Sequence, residues 1–215
     1  MSLRIREPVN SMSHMLGAVL SLSGLVLLLL RSLEHDSTAY LGSALVFGGS
    51  LILLYSASMI YHWVVSSAQV IRTLRKIDHC MIYVLIAGTY TPICLITLQG
   101  ALGMGLLIGI WTLAVLGIVL KLVWFNAPRW LYTAFYLLLG WIAVFFIYPI
   151  SLAIPGQGLF LLILGGLLYS VGSVFYAVKP QWIRLGKFGF HEIFHLFILA
   201  GSIVHYFFIY RYVMG

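Results

Sequence analysis

Four stretches of the chain carry no charged residue at all, at 15–30, 37–71, 80–120 and 130–178, and they limit the fold more than any other feature. A helix needs roughly 20 apolar residues to cross a hydrocarbon core of about 30 Å, so the two longest stretches must each cross twice. Lipid offers no partner to exposed backbone groups, which leaves helices and closed barrels as the ways across. Ten-residue segments of alternating polarity are missing from the sequence, and a β-barrel is set aside on that ground. With 62% of its residues hydrophobic and 8% charged, against roughly 25% charged in soluble domains, the chain reads as dissolved in lipid throughout.

Turn chemistry places the breaks, Gln99-Gly100 in the third stretch and Pro155-Gly156-Gln157-Gly158 in the fourth. The expected fold is an all-α, seven-transmembrane helix bundle in one integral membrane domain, 1–215. Its spans fall near 15–31, 40–62, 79–98, 102–121, 130–149, 159–178 and 190–210. Lysine and arginine are retained on the cytoplasmic side during insertion. Seven spans put Arg4, Arg6, Arg72, Arg75, Lys76, Lys121, Arg129, Lys179, Arg184 and Lys187 on one side, and Arg31 and Arg211 on the other. That bias predicts a cytoplasmic N-terminus and an external C-terminus in the plasma (inner) membrane. Attraction of juxtamembrane cations to anionic lipid accounts for the net charge of +7, and no nucleic-acid partner is expected.

A cleaved signal peptide is the competing reading of the first 31 residues. The nearest small-residue site, Ser37-Thr38-Ala39, lies well past the apolar run and beyond three charges, so the first span is read as retained. Cys80 and Cys94 sit on one expected helix, about 21 Å apart at 1.5 Å rise per residue, too far for a disulfide.

Ionisable groups within spans are costly and are functional candidates by default. His62 closes the second span, Asp78 opens the third, and His191 with His195 opens the seventh, all at one end of the bundle. Ser58 precedes His62 by one helical turn on the same face, and His191 and His195 share a face for the same reason. If spans two, three and seven are neighbours, one small volume holds three imidazoles, a carboxylate and a hydroxyl. Three neutral imidazoles and a water make the open four-coordinate site of a catalytic zinc, which lowers the water's pKa towards about 7. Asp78 is then placed to hold or deprotonate the water, and Ser58 to orient it or to donate to a developing oxyanion. Imidazole also suits copper, iron and nickel.

The segment "HEIFH", His191 to His195, fits the HExxH protease pattern as well, with Glu192 as general base. No acidic residue follows Glu192 to serve as third ligand, and recruiting Asp78 would leave His62 unused. Glu192 is therefore expected to face the headgroups or to pair with Arg184 or Lys187. In "EPVNSMSH", Asn10 or Ser11 is the expected helix cap and Pro8 the helix start, the alternative being that Glu7 and His14 brace the mouth of the site. His79 points away from Asp78 and reads as a supporting residue, and His205 as a packing or interhelical hydrogen-bonding one. Glu34 and Asp36 are expected in solvent. Tyr61, Tyr83 and Tyr90 are candidates to line a cavity, and Gly103, Gly105 and Gly109 to allow close helix packing.

Together Glu7-x-x-Asn10-x-x-x-His14, Ser58-x-x-x-His62, Asp78-His79 and His191-x-x-x-His195, in this order along seven spans, resemble the progestin and adipoQ receptor family. The short chain and "DHCMIYVLIAGTYTP" at 78–92 resemble its bacterial hemolysin III branch. The resemblance implies a zinc ion near the inner leaflet with His62, His191 and His195 as ligands, and Asp78 and Ser58 holding its water. The wider family is similar to alkaline ceramidases, so the implied activity is zinc-dependent hydrolysis of a membrane lipid amide or ester. The alternatives are a membrane sensor in which zinc is structural and a cytolysin that oligomerises into a pore.

Overall fold

A computed structural model of the chain describes residues 5–180 and 189–215. Seven helices are long and apolar enough to cross a membrane: α1 (Pro8–Ser32), α2 (Thr38–Trp63), α3 (Ala68–Leu98), α4 (Gly100–Val123), α5 (Arg129–Ala153), α6 (Gly156–Val178) and α7 (Phe190–Val213). Among the described residues there is no strand. The chain is an all-helical, multi-pass membrane protein.

The helices break where turn residues are concentrated. Gln99 and Gly100 both take positive φ, 47° and 55°, and reverse the chain between α3 and α4. Two helices begin earlier than hydropathy suggests, α1 at Pro8 rather than near 15 and α3 at Ala68 rather than near 79. Hydropathy marks what lies in lipid, whereas a helix continues for as long as its backbone bonds and ends are satisfied. At α3 the Ser67 hydroxyl accepts from Val70 N at 3.4 Å, and the added turns carry Arg72, Arg75 and Lys76. At α1 the expectation of an Asn10 or Ser11 cap is corrected. The cap position is Glu7, without a side-chain cap bond, and Asn10 and Ser11 are buried inside the helix with other partners.

Sequential antiparallel neighbours pack closely, α1 on α2, α2 on α3 and α6 on α7, and α7 closes back onto α1. Helix α5 touches α3, α4 and α6 and is the least embedded of the seven. Close approach depends on particular glycines: a Cβ at Gly88 of α3 would collide with the Ser50 side chain of α2, and one at Gly103 with the Cys94 carbonyl. Gly105 and Gly109, expected to share that role, face open space. Cys80 and Cys94 are both buried free thiols. Glu34 and Asp36 are exposed to solvent as expected, and Glu34 is also ion-paired with Arg31.

Within α5, Ile142–Phe146 winds as a 3₁₀ segment, a break that the apolar pattern of 130–149 did not announce. A side chain from α3 fills it. The Tyr90 hydroxyl donates to the Gly140 carbonyl at 2.6 Å and accepts from Ala143 N at 2.8 Å, satisfying groups that the α-helical ladder leaves open. Tyr90→Phe strands both backbone groups in an apolar setting. The expected result is a loss of about 1–3 kcal/mol, read as a lower midpoint of detergent or thermal unfolding. An unchanged midpoint would show that α5 bends independently of Tyr90.

Candidate metal centre

Glu7 at the start of α1, His62 at the end of α2, Asp78 in α3 and His191 at the start of α7 lie at the same end of the bundle because successive helices alternate in direction. His62, His191 and His195 each offer one ring nitrogen to a common point, and these nitrogens all lie within 4.8 Å of one another. The Nε2 atoms of His191 and His195 are 3.3 Å apart. Metal–nitrogen bonds of about 2.0–2.1 Å put the ligands of a tetrahedral site about 3.3–3.4 Å apart, which that pair already meets. His62 is fully buried and its ring stands 4.8 Å from that of His195 and 5.1 Å from that of His191.

The protonation pattern of His62 follows from its neighbour. Its Nδ1 lies 2.7 Å from Glu7 Oε2, and a carboxylate only accepts, so Nδ1 is the donor and Nε2 is the nitrogen that carries the lone pair in the neutral ring. That Nε2 has no hydrogen-bond partner among the described residues. A buried, unpartnered lone pair costs about 1–3 kcal/mol, more than a soluble core tolerates without compensation. The donor set therefore fits a borderline cation such as zinc, with a carboxylate behind one ligand fixing its ring orientation. The bond from His62 is also the main reason that the Glu7 carboxyl is held down at about 2 against the opposing effect of burial.

Asn10 ties this arrangement together. Its amide donates to Glu7 Oε2 at 3.2 Å and to Glu192 Oε1 at 2.9 Å. The second Glu192 oxygen accepts from Gly189 N at 2.8 Å and so closes the first turn of α7. This corrects the expectation that Glu192 faces the headgroups; Arg184 and Lys187, its suggested partners, lie outside the described residues. Both Glu192 oxygens accept hydrogen bonds, one from Asn10 and one from the backbone, so the carboxylate joins α1 to the first turn of α7. His14, one of the two residues suggested to brace the mouth, stacks on His195 with ring centroids 3.8 Å apart. Glu7, Asn10 and His14 stand at i, i+3 and i+7, a single helical face, and that spacing is the signal by which sequence reading could have placed all three beside the histidines.

Asp78 and Ser58 are both buried and share a cavity of about 210 Å³ with His191 and His195. From this polar end the cavity runs along apolar side chains of α3, α5 and α6, including Ile82, Ile86, Val144 and Ile163. His79 stands apart from the three-histidine cluster, 4.0 Å from the Asp78 carboxylate and edge-on to Tyr176. Of the three tyrosines expected on the wall only Tyr90 is there. Tyr61 instead carries the Arg6 guanidinium 4.3 Å above its ring, and Tyr83 packs on Phe135 and Tyr136. The lining tyrosines that hydropathy did not single out are Tyr132, Tyr136, Tyr169 and Tyr176. His205 stacks on Tyr169 and bonds within its own helix to the Gly201 carbonyl at 3.1 Å, so its role is packing rather than an interhelical bond.

Comparison with known proteins adds a family to this geometry. Residues 3–206 match the family model described as Haemolysin-III related. The chain is 38% identical over 208 residues to Hemolysin-3 of Bacillus cereus, covering 97% of this chain and 92% of the relative. It is 40% identical over 202 residues to a Hemolysin-3 homolog of Bacillus subtilis (strain 168), covering 94% and 91%. A more distant similarity, 29% over 177 residues, covers 79% of this chain and 70% of the human Monocyte to macrophage differentiation factor.

Proposed function

We propose, from the premise that this chain belongs to the haemolysin-III related family, that it is a zinc-dependent membrane hydrolase acting on a lipid amide or ester. The single observation behind the reading is the meeting of three imidazoles with a buried carboxylate and hydroxyl at the end of an apolar cavity. The reading includes a single membrane domain whose catalytic end faces the cytoplasm, on the strength of the charge bias.

His62, His191 and His195 would hold the zinc, which would supply Lewis acidity and lower the pKa of a water. Glu7 keeps Nδ1 of His62 protonated and its Nε2 free for the cation. Asp78 takes the proton of the attacking water at its carboxylate and returns it to the leaving nitrogen or oxygen as the acyl C–N or C–O bond breaks. The Ser58 hydroxyl donates to the oxyanion that develops at the carbonyl. The apolar wall holds the acyl chain and keeps bulk water from the reacting carbonyl.

Asp78→Asn tests the reading. The variant is expected to bind as much metal as the wild type while hydrolysis falls by roughly 10²–10⁴, the usual contribution of a positioned acid–base group. Equal hydrolysis by Asp78→Asn, or no cleavage by zinc-loaded wild type across a broad panel of lipid amides and esters, sinks it. The name of the Bacillus cereus relative favours a second reading, a cytolysin. Leakage from liposomes that survives removal of all three histidines would support that reading instead.

A further inference from the structure

Positive charge outnumbers negative at the polar end of the cavity, where Arg75, Lys121 and Arg129 meet a single carboxylate, Asp78. The charged groups of Arg72, Arg75, Lys76 and Lys121 stand 5.5, 5.6, 5.4 and 5.1 Å from the centre of the Phe125 ring. Lys121, only 3% exposed, also lies 3.5 Å over Tyr132, and Arg129 lies 5.0 Å over Tyr176. Arg75, Lys121 and Arg129 line the cavity itself. Every acid except Asp78 is accounted for elsewhere. Glu7 meets Arg6 and His62, Glu34 meets Arg31, Glu192 meets Asn10 and Gly189, and Asp36 belongs to the loop at the far end. Asp78 shares the cavity and lies 4.0 Å from His79, and among the described residues none of the three cavity cations forms an ion pair.

Two ordinary explanations fall short. Ring faces attract cations but leave their net charge in place. Attraction to an anionic leaflet acts on exposed cations such as Arg72, whereas a buried lysine gains from an anion only when the anion comes to it. Guanidinium groups present the planar fork that matches phosphate oxygens, and lysine adds a point charge. The same cavity continues into an apolar run long enough in residue terms to span several turns of α3, from Asp78 through Ile82 and Ile86 to Tyr90.

We infer that the cavity takes an anionic glycerophospholipid, its phosphate between Arg75, Lys121 and Arg129 and an acyl chain along the apolar wall. The inference rests on the hydrolase reading for the statement that this lipid is a substrate, and it narrows that reading to an ester. In a glycerophospholipid the ester carbonyl lies between phosphate and chain, as His191, His195, Asp78 and Ser58 share the wall with the cations and the apolar run. Water adds to the ester carbonyl carbon, the bond to the glycerol oxygen breaks, and a fatty acid carboxylate and a lysolipid leave with one proton released.

The test is native mass spectrometry of the full-length detergent-solubilised protein, titrated with phosphatidylglycerol or with phosphatidylcholine of the same acyl chains. The wild type is expected to prefer phosphatidylglycerol by roughly tenfold or more. Lys121→Met with Arg129→Gln abolishes the preference, and Lys121→Arg, which keeps the charge and controls for folding, retains it. Arg72→Gln with Lys76→Gln, outside the cavity wall, leaves it within about twofold. A wild-type preference below about twofold, or equal losses from the inner and outer pairs, overturns the inference. So does displacement of the lipid by inorganic phosphate at equal concentration, which would mark a free-anion site. Binding is read without turnover, so anionic preference with no ester cleaved removes the hydrolase reading and keeps the site. Equal cleavage of both lipids, unchanged in Lys121→Met, removes the site and keeps the hydrolase.

Discussion

If the three histidines hold zinc as proposed, replacing His191 and His195 together by alanine is expected to lower the bound metal to a background level, because a single imidazole cannot hold a four-coordinate cation. The loss has a thermodynamic counterpart. Wild-type protein in zinc at about 100 times its dissociation constant gains about 2.7 kcal/mol over the same protein in chelator, whereas the variant gains nothing. Taking the difference between zinc and chelator for each protein cancels the packing cost of the two deletions. Elemental analysis beside thermal unfolding reads both effects. Retention of a full equivalent of metal by the variant would place the ion elsewhere and leave the histidines as a packing cluster.

Glu7 carries the second large effect. Among the described residues its carboxylate is the one hydrogen-bond partner of the His62 ring, at 2.7 Å from Nδ1, and it is itself held by Asn10 at 3.2 Å. Carboxylates in this position behind a ligating histidine typically contribute 10–100-fold in metal affinity, and Glu7→Gln is expected to lose roughly that much while the fold persists. The carboxyl is held at about 2, below its ordinary 4.5, so its stabilising contribution is complete above about 4.5 and is lost as the pH falls towards 2. Zinc competition against a fluorescent chelator at neutral pH measures the affinity. A Glu7→Gln protein within about twofold of wild type would mean that the His62 tautomer is set by something other than this bond.

These two residues classes differ in how far they can be read from one dimension. His191 and His195 are one turn apart, so their convergence is local geometry and visible as a spacing. His62 joins them only if α2 and α7 are neighbours, and its partner Glu7 lies 55 residues away on α1. Glu192 shows the opposite case. Its position in HEIFH invites a catalytic assignment, yet one oxygen closes its own helix's first turn at Gly189 and the other accepts from Asn10 of α1, a contact that no helical periodicity encodes.

Hydropathy and turn chemistry by themselves determined the seven helices, the reversal at Gln99-Gly100 and the end of the bundle at which the polar residues collect. The reason is that lipid imposes a length and a composition on each crossing independently of its neighbours. Only the tertiary structure decided which residues meet. Helix neighbours in lipid are chosen by steric fit at sites such as Gly88 and Gly103 and by polar contacts such as that of Tyr90 with the α5 break. The three-histidine cluster, the bridge through Asn10 and the cation-lined cavity are products of that choice, since each joins side chains from helices far apart in the chain.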